Sequence, residues 1–95
     1  MKVKFGILKG LDGRDLKDTN NKPIAIYQSL ANVIVNEIAK DSIVQRHELA
    51  TKIFNSQGSE LEISESEKEI IKQAVTSGGV TVLLAAQVLN IINNA

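Results

Sequence analysis

Thirteen consecutive positions, Val80–Ile92, hold only three polar side chains, Thr81, Gln87 and Asn90. The rest are Val, Leu, Ile and Ala, so a helix over this stretch has almost no face suited to water. Exposing apolar surface costs roughly 25 cal/mol per Å². Such a helix belongs at the centre of a domain or against another subunit, and everything else in the chain must help to cover it.

The cover has to be aliphatic. Apolar residues make up 43% of the 95 residues but aromatics only 3%, namely Phe5, Tyr27 and Phe54. A core of Ile, Leu, Val and Ala suits helix packing, and the scarcity of aromatics argues against a base-stacking platform for single strands. There is no cysteine, so neither a disulfide nor a thiolate zinc site staples the fold. Eleven basic and eleven acidic side chains cancel, which disfavours nucleic acid and anionic membranes as partners.

Charge is nonetheless unevenly spread. Met1–Lys22 carries six cations against Asp12, Asp15 and Asp18, while Ser59–Glu69 carries five glutamates against Lys68. Two solvated faces explain this, and complementary patches joining copies head to tail would explain it too. Met1–Gly10 has only Phe5–Leu8 as an apolar run, too short for a secretory segment, and Val80–Ile92 falls short of the ~20 residues that span a bilayer. The expectation is a cytoplasmic protein without a membrane span.

Along the chain, Val3, Phe5 and Ile7 alternate with Lys2, Lys4 and Gly6 as a strand with one buried face would. Asp12-Gly13 suits a hairpin turn because both positions tolerate positive φ, with Arg14–Lys17 returning and Leu16 inward. Pro23 fits the first turn of a helix running to about Ala39, with Ile24, Tyr27, Leu30, Ala31, Ile34 and Ile38 as its stripe. Val35 lies off that stripe and marks a second contact surface.

Ser42 and Gln45 predict a capping box opening a helix to about Asn55, in which Leu49, Ala50, Ile53 and Phe54 pack inward and Glu48 pairs with Lys52. Glu60–Ile63 alternates and is available as a third short strand. Ser64 and Glu67 form the clearest capping box, starting a helix over Glu65–Thr76, and Gly78-Gly79 separates it from the Val80–Ile92 helix. No internal repeat is evident. The expected architecture is α+β, a single domain over residues 1–95: an N-terminal β-hairpin packed on four helices with the C-terminal helix central.

Chemistry-bearing patterns are sparse. His47 is the sole histidine, but no Ser or Cys nucleophile stands at a recognisable elbow, and a helical surface position accounts for it. Asp12, Asp15 and Asp18 lack the order of a calcium loop, and no metal or cofactor is expected. Ser77, Gly78, Gly79 and Thr81 sit at a helix start where exposed N–H groups could hold an anion, although an interhelical turn uses the same residues. The glutamates at i,i+2 spacing scatter over different faces rather than forming a hydrolytic pair.

Leu11-Asp12-Gly13, the run Arg46–Asn55, Leu61-Glu62-Ile63-Ser64 and Ala86-Gln87-Val88-Leu89 together resemble small phage- and prophage-encoded accessory proteins. That resemblance covers most of the chain and implies an assembly role, some such proteins forming rings or binding host or virion components, in the host cytoplasm. It carries no functional residue. The combined expectation is a non-enzymatic interaction module, self-associating as a homo-oligomer or binding a protein partner, with Val35, Leu84 and Leu89 as candidate interface positions. A small anionic-ligand protein using Ser77, Gly79 and Thr81 is the alternative, and an enzyme using His47 the remote one.

Overall fold

A computed structural model describes residues 1–36, 41–77 and 80–94. The order is β1 (Lys2–Val3), α1 (Ile26–Asn36), α2 (Ile43–Ser56), β2 (Leu61–Glu62), α3 (Glu65–Thr76) and α4 (Val82–Asn93), an α+β fold with the helices packed as a bundle. The third strand joins the N-terminal segment: β1 and β2 pair antiparallel, Lys2 opposite Glu62 and Val3 opposite Leu61.

Between β1 and α1 the chain builds something more ordered than a plain hairpin. Leu8 N–H donates to Ile24 O (2.8 Å), Ile24 N–H to Leu16 O (2.9 Å), and Leu16 N–H to Leu8 O (2.8 Å), closing a ring of three backbone bonds. Bridges Ile7–Ala25, Lys9–Asp15 and Lys17–Pro23 link the three extended segments pairwise. The two connecting turns are copies of each other. Gly10 N–H reaches Arg14 O and Gly13 N–H reaches Gly10 O; eight residues on, Asp18 N–H reaches Lys22 O and Asn21 N–H reaches Asp18 O. The positive-φ position is Gly13 (φ 79°) in the first and Asn21 (φ 61°) in the second. Leu8-Lys9-Gly10-Leu11-Asp12-Gly13-Arg14 is thus repeated by Leu16-Lys17-Asp18-Thr19-Asn20-Asn21-Lys22, correcting the expectation of no repeat.

This ribbon moves the start of α1. Pro23 is a bridge partner of Lys17 rather than a first-turn helix residue, because Ile24 is held extended between Leu8 and Leu16. The helix begins at Ile26, whose N–H, an orphan in an isolated helix, donates to Gly6 O (2.7 Å). The expected continuation to Ile38 and Ala39 lies outside the described residues. Alternation also slips at Gly6-Ile7: Val3 and Phe5 are buried, but the next buried side chain is Leu8, and Ile7 is half-buried.

Two similar capping signals, Ser42 with Gln45 and Ser64 with Glu67, behave differently. Ser64 Oγ accepts from Glu67 N–H (3.2 Å) while Glu67 Oε1 accepts from Ser64 N–H (2.8 Å), the reciprocal box expected. Ser42 instead sits at φ 54°, ψ 29°, outside the extended backbone from which a capping side chain reaches the first-turn N–H groups, and makes no side-chain cap. Gln45 reaches across to Ser66 Oγ (3.3 Å). Lys52 likewise pairs with Glu67 (3.3 Å) at the start of α3, not with Glu48.

The core joins all layers. Phe5 and Leu8 from the ribbon, Leu30 and Ile34 from α1, Leu49 and Ile53 from α2, Ile63 after β2, Ile71 from α3, and Val88 and Ile92 from α4 are buried in one cluster. From α4, Leu84 completes the buried row at i, i+4 and i+8, while Leu83, Ala85, Leu89 and Ile91 are half-covered and Val82 is 84% exposed. The apolar helix therefore has one buried stripe and two flanks that the ribbon and α3 only partly cover. No helix of the described residues is long and apolar enough to cross a membrane.

Candidate functional site

One surface with uncovered apolar side chains lies between α1 and α2. On α2, Ile43, His47, Ala50 and Phe54 fall at i, i+4, i+7 and i+11, one flank of the helix next to its core stripe. Ala50 is buried, but Ile43 is 63% and Phe54 47% exposed. Phe54 was expected inward by its spacing from Ala50; at the edge of the stripe it turns out along the flank instead. Facing it, Val35 on α1 is 55% exposed. Together with Ala31, Asn32, Ala50 and Thr51 these two side chains line a shallow hollow of ≈ 170 Å³.

Val35, expected as a second contact surface, is thus on the rim of a real depression. Leu84 is not: at 7% exposure it is part of the core and offers nothing to a partner. Leu89 is half-buried on the α4 flank. All-round apolarity predicts a helix covered on every side, but in α4 Leu84, Val88 and Ile92 alone are buried, and the pattern could not show which residues face inward. Phe54 and Ile43 were missed because their helical positions border the buried stripe, and only the packing of α1 decides where that stripe ends.

The other expected positions do not form one site. His47 is exposed on the α2 flank, its carbonyl accepting from Thr51 Oγ1 (2.9 Å), and its imidazole has no hydrogen-bond partner among the described residues. No group of His, Asp or Glu among the described residues is arranged to hold a metal. Thr81 Oγ1 caps α4 by accepting from Leu84 N–H (3.3 Å), and Ser77 Oγ donates to Ala74 O (2.8 Å), so both hydroxyls serve their own backbone. Gly78 and Gly79 lie outside the described residues.

Charge is partly matched within the chain, which weakens the head-to-tail arrangement. The Met1 ammonium pairs with Glu62 (2.8 Å), Lys2 with Glu60 (3.8 Å), and Lys9 with Asp15. Hydrogen bonding from the ammonium holds the Glu62 carboxyl below its ordinary value. For Glu67, partial burial raises the pKa, but the Ser64 N–H and the Lys52 ammonium outweigh it and the net shift is downward.

A second depression, ≈ 620 Å³ and open, runs between the ribbon and α4, lined by Lys4, Ile7, Lys9, Gln87, Asn90 and Ile91 among others. Gln87 spans its end, bonding to both backbone polar groups of Lys9. No protein family, characterised protein or solved structure matches this chain.

Proposed function

We propose that the chain is a non-enzymatic interaction module that self-associates through the α1–α2 flank. The observation that carries this reading is the pair Val35 and Phe54, about half exposed on either side of one apolar hollow. Large apolar side chains left uncovered and adjoining are a feature of contact surfaces rather than of the solvated face of a small monomer. Ile43 extends the same flank, and Asn32, His47 and Thr51 supply a polar border of the kind that surrounds an interface core.

A homo-oligomer is the first form of this reading and a separate protein partner the second. The setting is the cytoplasm, that of the host if the resemblance to phage- and prophage-encoded accessory proteins holds. Light scattering after size exclusion tests it. Self-association predicts a mass above the 10.3 kDa protomer that grows with concentration. Phe54→Glu should restore the protomer mass without loss of helical circular dichroism. A protomer mass throughout the micromolar to millimolar range removes the homo-oligomer.

A further inference from the structure

The groove between the ribbon and α4 has an unpaired strand edge. Consecutive residues of an extended strand direct their N–H and C=O to opposite edges. Leu8 turns its N–H to Ile24 and its C=O to Leu16. Ile7 and Lys9 therefore face the other edge, toward α4. The Lys9 groups are met by Gln87. Those of Ile7 have no hydrogen-bond partner among the described residues.

An open edge of this kind is a template for another extended backbone. The surrounding chemistry restricts what that backbone can carry. Ile7 and Ile91 give the groove apolar walls over the buried Ile26, and among the described residues the charged side chains lining it are Lys4 and Lys9. Lys9 already has Asp15, while Lys4 is exposed and has no ion pair among the described residues.

We infer that this groove binds a short extended peptide bearing carboxylate side chains, its backbone pairing with Ile7 N–H and C=O and a carboxylate reaching Lys4. The apolar side chains alternating with the acids would lie against Ile7 and Ile91. A small carboxylate would meet the lysine but leave Ile7 and the apolar walls unused, which is why a peptide is the better occupant. This is separate from the α1–α2 flank, and either can fail without the other.

The test is a titration of the ¹⁵N-labelled full chain with an acetylated and amidated Glu-Val-Glu-Val-Glu peptide, followed by amide chemical shifts and hydrogen exchange. The expected result is a saturable shift and slowed exchange at the Ile7 amide. Methylating the central peptide nitrogens should abolish it, and Lys4→Glu, a surface change that leaves the core intact, should weaken binding roughly five-fold. No Ile7 response at millimolar peptide would overturn the inference. So would equal binding of a Lys-Val-Lys-Val-Lys peptide, or the same Ile7 response to glutarate alone.

Discussion

Gln87 closes its carboxamide on Lys9 as a strand neighbour would: Nε2 donates to Lys9 O (2.6 Å) and Oε1 accepts from Lys9 N–H (2.9 Å). A side chain of α4 thereby ties the C-terminal helix to the N-terminal ribbon, 78 residues away in sequence. Two neutral bonds at a partly solvated site contribute about 1 kcal/mol each at most. Gln87→Ala should lower stability by about 1–2 kcal/mol in chemical denaturation, and Gln87→Glu by at least as much, since an acceptor-only carboxylate oxygen would face the Lys9 carbonyl in place of the Nε2 donor. Equal stability of all three would show that the tie contributes nothing.

The repeated turns predict an asymmetric response to substitution. A methyl group at Gly13 would meet no neighbouring atom, so only the φ of 79° opposes a side chain there. Gly13→Ala should destabilise by roughly 1–2 kcal/mol. Asn21 holds the corresponding place at φ 61°, and Asn21→Gly should stay within about 0.5 kcal/mol of the parent, since glycine adopts that conformation without strain. Thermal unfolding of both variants checks the pair.

Ser64→Ala removes a formed capping box and should cost about 1 kcal/mol, whereas Ser42→Ala removes no cap bond and should be close to neutral. These two serines also show what was legible in the sequence. Both precede a Glu or Gln by three residues, and local pattern cannot reveal that Ser42 is left-handed. Pro23 misled in the same way, since a missing N–H suits a first helical turn as well as a bridge to Lys17. The ring through Leu8, Leu16 and Ile24 depends on contacts between turns, and its second turn carries Asn where the first carries Gly, which hid the repeat. By contrast the α3 cap, the α3 stripe of Ile70, Ile71, Ala74 and Val75, and a short strand within Glu60–Ile63 follow from short-range spacing, and each appears where spacing put it. Val35 was legible as a surplus apolar residue, but its neighbour Phe54 was not, because exposure at the border of a stripe is decided by the partner helix.

Acid should loosen the start of α3. Glu67 has a folded pKa below its ordinary 4.5, as does the exposed Glu62. Their contribution is present above that value and is lost as pH falls through the lower folded values. The denaturation midpoint should therefore fall below about pH 4.5. Glu67→Gln, unable to charge, should be less stable at neutral pH and show a shallower loss in acid. A parent-like slope in Glu67→Gln would place the acid sensitivity elsewhere.

The most direct test of the α1–α2 contact uses the absence of native cysteine. Val35→Cys and Val82→Cys each place one thiol at an exposed position, the first on the proposed face and the second at the start of α4. Under mild oxidation at matched micromolar concentration, self-association through the α1–α2 flank predicts that Val35→Cys forms a disulfide-linked dimer much faster than Val82→Cys, and that adding Phe54→Glu abolishes the difference. Equal rates for the two cysteine variants would contradict it.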